Sequence, residues 1–439
     1  MVFSCRRPRS LLALVVLAIG MLSCSTVPEE PGEDSTDPVP TSEPTDRTPT
    51  ESAPAQPADF RDLGRELGLP QIMSTYALVV RDVNDDGWED LLISHHGFGA
   101  DLYINDNDGT TSQGLTHVHE FVDAIHERRD RHGCAIGDVD LDGLDDIFCA
   151  KGAQSGSAKK WNELWMQGPE GTWTDEAAAY GVEDIWGRGR FPVFLDLNRD
   201  PYPDLFVGND APRQDDHPTP NRTYVNEEGA RFREVRLGVS RELGDTCTER
   251  ADFDGNGWAD LLICGRSQLY LFSQRPAGFD DVTRAVGMPV VRATAAEFAH
   301  FDGDRLLDLV TITQERLEVR LQRDDRTFGP VVAGQPLLSG HGLAVGDPDG
   351  DGDTDIFVVE GCLDRVNRDD LFLENDADGA HFTLHTVQPV SGGCGDTAAA
   401  LDIDHDGMDE FIVLNGGGKD QPLDLDGPDQ VLTLGDWRP

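Results

Sequence analysis

Five stretches of this 439-residue sequence put side-chain oxygens at alternate positions of a nine-residue loop, D-x-[DN]-x-[DN]-G-x-x-[DE], followed by apolar residues. They are Asp82, Asn84, Asp86 and Asp90; Asp138, Asp140, Asp142 and Asp146; Asp252, Asp254, Asn256 and Asp260; Asp347, Asp349, Asp351 and Asp355; and Asp402, Asp404, Asp406 and Glu410. Oxygens at positions 1, 3, 5 and 9, with glycine at position 6 for a sharp turn and a backbone carbonyl at position 7, suit a hard cation that takes six to eight oxygen ligands. No convergent Cys or His set points to zinc. Calcium is the cofactor these loops imply. Two further copies are degenerate. Asp196, Asn198, Asp200 and Asp204 keep the ligand types and join the candidate ligands, although Pro201 cannot take the positive φ that glycine gives at position 6. In the other, His300 and Arg305 replace a ligand and the glycine, and Arg305 reads as an internal counter-charge beside Asp302, Asp304 and Asp308.

Two plainer readings compete. Asp, Asn and Gly favour turns, but a turn needs about two such residues, and three or four carboxylates packed together repel one another without a cation. An EF-hand needs a bidentate Glu at position 12, where these copies carry Ile93, Cys149, Ile263 and Val358.

The loops recur at spacings of 56, 58, 56, 48, 47 and 55 residues, the size of a four-stranded unit with its turns. Apolar strands flank each loop, as in Ala77-Leu78-Val79-Val80 before the first and Leu91-Leu92-Ile93 after it, so each loop tips a hairpin. A third strand recurs as Asp101-Leu102-Tyr103-Ile104 and Asn162-Glu163-Leu164-Trp165, and a fourth runs from an aromatic to a Gly-apolar end: Trp173 to Val182, Phe232 to Val239, Phe279 to Met288. The same signature stands at Phe60-Arg61-Asp62-Leu63, ending Gly68-Leu69, before any loop, and the 37 residues after Asp402 complete one period with the 22 between Phe60 and Asp82. The two ends therefore share a unit, and the pattern predicts a closed ring: an all-β, seven-bladed β-propeller of four-stranded antiparallel blades over residues 60–439, its N-terminal strand closing the last blade and leaving no open sheet edge to seal.

These loops and third strands closely resemble the FG-GAP and VCBS repeat family, known from integrin α-subunit propellers and cartilage acidic protein. The resemblance covers about residues 60–439 and implies a seven-bladed propeller with calcium in its hairpin loops. It implies no single function, since the family includes adhesion receptors, lectin-like proteins and a few polysaccharide lyases.

Upstream, Arg6, Arg7 and Arg9 precede an apolar run from Leu11 to Leu22, which reads as an export signal over 1–24. Met21-Leu22-Ser23-Cys24 resembles a bacterial lipobox, which would lipidate Cys24 and tether the protein to a membrane; simple secretion is the alternative. Residues 25–59 are rich in Pro, Thr, Ser and acids and read as a disordered spacer. The net charge of −46 argues against nucleic acid, and against a membrane except through the lipid. Positions 1, 3, 5 and 9 of the seven loops supply 24 of the 82 acidic residues, about half as many charges as the net.

Six further cysteines in an exported chain suggest disulfides. Cys134 with Cys149 and Cys247 with Cys264 are symmetric about their loops, hence opposed across a hairpin, while Cys362 and Cys394 fall on the face away from the loops and are placed to link adjacent blades. On that face, six residues before each loop, stand Tyr76, His132, Arg190, Thr246, Thr294, His341 and Asp396, with His95, His96, Arg188, Lys151, Asp210 and Asp364 nearby. His95, His96, His132, Arg188, Arg190 and His341 are the candidate ligand-binding residues, against the plain reading of polar caps on strand ends. The sequence thus supports an extracellular binding or adhesion module for a protein or glycan; the alternative is a polysaccharide lyase with His132 or His341 as base and Arg190 on a substrate carboxylate.

Overall fold

The computed structural model describes residues 56–69, 75–95, 99–105, 114–118, 131–152, 161–211, 217–361, 367–388, 395, 397–416 and 428–434. Seven antiparallel sheets of four core strands follow one another along the chain. Blade 1 comprises Thr75–Arg81, Asp90–His95, Ala100–Asn105 and Leu115–His117, from the innermost strand outward. Blades 2 to 6 begin with the innermost strands Arg131–Gly137, Gly189–Leu195, Cys247–Ala251, Ala295–Ala299 and Gly340–Gly346. Blade 7 begins with Thr397–Leu401. Each innermost strand packs against the next, and that of blade 7 against that of blade 1, so the ring closes.

Every second strand, such as Asp90–His95 or Asp355–Glu360, is buried along its whole length. A strand covered on both faces reads as a continuous apolar run, which is why these segments stand out in the sequence. The buried residues fall into seven clusters, each belonging to the interface between two neighbouring blades. The core is a ring of inter-blade seams.

The last seam holds the two ends of the chain. Phe60–Asp62 pairs antiparallel with Gln430–Leu434, as the outermost strand of blade 7. Phe60 packs against Phe357, Phe372 and Phe411, with ring centroids 6.2, 5.4 and 6.2 Å away. Two expectations need correcting. The spacer does not stay unpaired through Asp59: Gln56–Pro57 pairs in parallel with His385 and Thr386 on the outer edge of blade 6, and the Ala58 N–H donates to the Thr386 carbonyl at 3.0 Å. Proline, lacking an N–H, is tolerated on such an edge. The fourth strands are also shorter than the aromatic-to-glycine pattern predicts. They end at Asp62, Asp175 and Asp281, whose carboxylates accept the N–H two residues on. The chain then makes a helical turn stopped by a left-handed glycine, Gly68, Gly181 or Gly287, and drops Leu69, Val182 or Met288 into the core.

Two acids stand at equivalent places on the innermost strands of blades 4 and 5. Glu249 accepts the Phe298 N–H with both oxygens, at 3.1 and 3.0 Å. Glu297 keeps some solvent-reachable surface, but protein encloses its carboxyl and burial pushes it up to about 8; burial and the neighbouring Glu297 raise Glu249 as well. The folded protein therefore holds a proton that the unfolded chain releases near 4.5, so this stability is complete below that pH and lost as pH rises toward 8. Glu297→Gln is expected to leave the melting temperature near wild type at pH 5 and to raise it above wild type at pH 8, as measured by calorimetry.

Candidate metal centres and the opposite face

The five glycine-containing loops share one hydrogen-bond scheme. The carboxylate at position 1 accepts the N–H of position 5 and, at 2.8–3.0 Å, that of the glycine at position 6. Position 5 accepts the N–H of position 7. Glycines 87, 143, 257, 352 and 407 all have positive φ, between 78° and 93°. Position 4 is left-handed too, a requirement missed in the sequence because it is met by Asp85, Leu141, Arg199 and His405 as well as by Gly255, Gly303 and Gly350. In blade 3, Pro201 removes the donor to position 1 as well as the positive φ, and Asp196 instead accepts the N–H groups of Asn198 and Arg199.

Ligand atoms converge in four of these loops. Asp138, Asp140 and Asp146; Asp252, Asp254 and Asp260; Asp347, Asp349 and Asp351; and Asp402, Asp404 and Glu410 each bring one oxygen apiece to within 4.8 Å of the others. In blade 1 the third position is an amide, and Asn84 Nδ2 donates to Asp86 at 2.9 Å. The donor set is wholly oxygen, which fits calcium. Blade 6 adds a further mark. Asp355 is fully buried, its Oδ1 accepts the Asn375 N–H, and its Oδ2 has no hydrogen-bond partner. A buried carboxylate oxygen without a donor, close to Asp349, Asp351 and Asp353, is what a cation would satisfy.

Position 9 has a second job. In blades 1 to 6 one of its oxygens accepts the N–H at the end of the third strand, at 2.6–2.9 Å. In all blades but the sixth the other oxygen accepts the N–H of position 2, at 2.7–3.1 Å. Blade 6 lacks that bond because Pro348 stands at position 2. Degenerate blades 3 and 5 keep both bonds through Asp204 and Asp308, so the acid at position 9 marks a latch that the blade needs with or without metal. Burial pushes these carboxyls up, to about 6 for Asp90, Asp204 and Asp308, about 7 for Asp146 and Asp260, and about 8 for Asp355 and Glu410. The residue ending the third strand completes the latch. Asn105, Asn226, Gln274, Gln322 and Asn375 each donate a side-chain N–H to a loop carbonyl of the preceding blade, of Ile403, Val139, Asp196, Phe253 and Phe301. Asp308→Asn in blade 5, whose loop has His300 and Arg305 at positions 1 and 6, is expected to cost about 1–3 kcal/mol, since its amide would face an N–H with an N–H. Denaturant melts should show that loss equally with calcium and with chelator.

Neighbouring loops touch across the ring closure. Asp347 and Asp409 bond reciprocally between blades 6 and 7, at 2.8 and 2.9 Å. Trp88 of blade 1 stacks on His405 of blade 7, with ring centroids 3.7 Å apart, and Arg81 of blade 1 pairs with Asp145 of blade 2 at 2.5 Å. Four of the five glycine loops are thus contiguous, in blades 6, 7, 1 and 2.

On the opposite face the candidate residues separate. Cys134–Cys149 and Cys247–Cys264 are directly opposed in register and bonded, with Cα atoms 4.1 and 4.9 Å apart. Cys24, His96, Cys362, Asp364, Cys394 and Asp396 lie outside the described residues, as does the side chain of Tyr76. His95 is buried, and its Nε2 meets Asp101 at 2.9 Å, with His117 on the other oxygen at 3.1 Å. Burial alone would raise the Asp101 carboxyl, but the two imidazoles hold it below its ordinary value. His341, in blade 6, donates from Nδ1 to the Ser339 carbonyl at 2.8 Å. Blade 2 carries His132, so the two bases of the lyase reading are not neighbours on the ring.

His132 does lie beside Arg190 of blade 3. A Cβ added to Gly152 would lie 1.9 Å from Arg190 Nη1 and 2.7 Å from His132 Nδ1. Arg188 and Arg190 share Asp210, at 2.9 and 3.3 Å. Arg131, missed in the sequence, reaches Glu163 at 2.7 Å, and Lys151 bonds the other oxygen of that carboxylate. Burial works to raise the Glu163 carboxyl, and the two cations hold it down.

Seven closed four-stranded blades, each with an acidic hairpin loop between its two inner strands, define a β-propeller of the acidic-loop type. The family model described as "FG-GAP-like repeat" matches residues 138–207, 252–311 and 300–358, spans that run from one loop through the second strand of the next blade. Those spans carry FG-GAP-like repeats. The chain is similar to cartilage acidic protein 1 of Homo sapiens, 27% identical over 197 residues, and of Mus musculus, 27% over 198; each match covers 40% of this chain. The matched stretch spans only 27% and 28% of those relatives. Two solved structures align at low identity. A lectin of Agrocybe aegerita recognising non-reducing terminal N-acetylglucosamine aligns at TM-score 0.48 and 17% identity, over 72% of this chain and 80% of its own. BBS1N in complex with ARL6DN aligns at 0.49 and 8%, over 87% and 97%.

Proposed function

We propose that this chain is a calcium-stabilised extracellular binding module, with metal in the five glycine loops and a ligand on the opposite face. The convergence of carboxylate oxygens within 4.8 Å in four loops carries the reading. Positions 1, 3 and 5 would hold the ion, with position 9 adding an oxygen from its latch. Bound calcium would supply positive charge that relieves repulsion among the acids and fixes the turn; the N–H groups donated to positions 1 and 5 already orient the carboxylates for it. Two disulfides suit an oxidising, extracytoplasmic setting, which agrees with an export leader over 1–24. Lipidation at Cys24 would tether the module, with the spacer holding it off the membrane.

A module of this kind presents a rigid face rather than a moving one, and its ligand is a protein or a glycan. The test is a glycan array and a pull-down, each run with calcium and with chelator. The reading expects ligand capture that requires folded, calcium-loaded protein and survives changes confined to the loop of blade 5. Capture that persists after the propeller is unfolded, or turnover of a bound glycan, would count against it.

A further inference from the structure

In three loops the residue at position 7 faces two ways. Its N–H donates to the position 5 side chain of its own loop: Trp88, Trp258 and Met408 bond Asp86, Asn256 and Asp406 at 2.8, 2.7 and 2.9 Å. Its side chain lies on position 4 of the preceding blade's loop. The Trp88 ring stacks on His405, 3.7 Å away and 8° from parallel. The Arg199 guanidinium lies 4.2 Å from the centre of the Trp258 ring, and a Cβ added to Gly350 would meet Met408 Cγ at 3.0 Å. All three platforms are left-handed, with φ of 55°, 64° and 72° for His405, Arg199 and Gly350. His405 and Arg199 are not glycine, and such a residue keeps that conformation only where the loop around it imposes it.

A second bridge sits at position 8. Asp409 of blade 7 accepts the N–H of Asp347, position 1 in blade 6, at 2.8 Å. Asp145 of blade 2 accepts from Arg81, the residue before position 1 in blade 1, with both oxygens at 2.5 and 2.9 Å. The loops of blades 6, 7, 1 and 2 are therefore bridged one to the next, and all four have the glycine pattern. The loop of blade 4 stands apart, between the two degenerate loops of blades 3 and 5.

We propose that the loops of blades 6, 7, 1 and 2 take up calcium cooperatively through these bridges, while that of blade 4 fills independently. The proposal rests on the calcium reading and adds its regulation. Drawing positions 3 and 5 of one loop together fixes the left-handed residue between them. That residue is the platform for position 7 of the next loop, whose N–H orients the position 5 ligand there. Ligands set in place beforehand lose less freedom when they close on an ion, so a filled loop favours filling of its neighbour. Coupling of this kind is reciprocal. The consequence is a threshold: the seam that closes the ring fills or empties as a unit over a narrow range of calcium.

Calcium titrated into chelator-stripped protein, followed by calorimetry, is expected to show four of the five ions bound with a Hill coefficient of about 2 and the fifth bound non-cooperatively. Trp88→Ala and His405→Gly each remove the bridge between blades 7 and 1. Both should leave the number of ions unchanged and lower the Hill coefficient, and the double variant should lower it no further, because the two changes act at one contact. Trp258→Ala, which cuts the bridge between blades 3 and 4, should leave the coefficient of the four unchanged. His405 is exposed and glycine adopts its left-handed backbone freely, so that variant tests the bridge even where Trp88→Ala fails to fold. Four ions bound no more steeply than independent sites, steepness unaltered in both bridge variants, or an equal loss in Trp258→Ala would overturn the coupling alone. Absence of saturable uptake would instead remove the calcium reading on which it rests.

Discussion

Chelating calcium is expected to lower the melting temperature of this protein steeply and to open it to protease. Extracellular modules bind calcium with dissociation constants of about 10⁻⁴ to 10⁻³ M. At a calcium concentration about 100-fold above such a constant, each site adds about 2.7 kcal/mol to the folded state. A few such sites rival the ~5–15 kcal/mol that separates a folded domain from its unfolded chain. The stripped loops also keep their clustered charge: five acids lie between Asp347 and Asp355 alone. Because the loops of blades 6, 7, 1 and 2 touch one another, the loss should centre on the seam where the two chain ends meet. Proteolysis in chelator should accordingly cut first beside blade 7 or blade 1, and added calcium should restore protection. Melting that is unchanged by chelator would remove the metal from the account.

Phe60→Ala should be the most damaging single substitution in the N-terminal strand. Deleting a phenyl ring from a core costs about 3–5 kcal/mol, and this ring is the contact that three phenylalanines of blades 6 and 7 make with the incoming chain. Phe232 opens the corresponding strand of blade 3, which contiguous chain supplies. Phe232→Ala should cost a similar amount by denaturant melt but leave the ring closed. Phe60→Ala should in addition free the terminal strand, seen as faster hydrogen exchange over Gln430–Leu434, its pairing partner. Equal exchange in the two variants would contradict a seam closed by Phe60.

The ring was legible in the sequence because its signals are local and repeat. Apolar second strands, acidic hairpin tips and the stray Phe60 motif each sit in one short stretch, and Cys134 and Cys149 are equidistant from one turn. What escaped depends on contacts and backbone geometry that no single short stretch displays. The acid at position 9 looks like a ligand in its own loop; only the N–H groups of Asn105 and Val83 on Asp90 reveal it as a latch. The amide that ends the third strand in blades 1, 3, 4, 5 and 6 recurs in the sequence, and aligning those strands would have exposed it, but its target carbonyl lies a blade away. The left-handed position 4 was hidden because aspartate, leucine, arginine and histidine share it with glycine. On the mouth face the strand-entry positions were legible and the chemistry was not, because His95 is consumed by Asp101, His341 lies across the ring, and Arg131 enters through an ion pair with no motif.

The number of calcium ions bound tests the central claim most directly. Calorimetric titration of calcium into chelator-stripped protein should show saturable uptake of about five ions, one for each glycine-containing loop, with a sixth assigning the loop of blade 3. Absence of saturable uptake would contradict it, leaving the acidic hairpins as turns and latches alone.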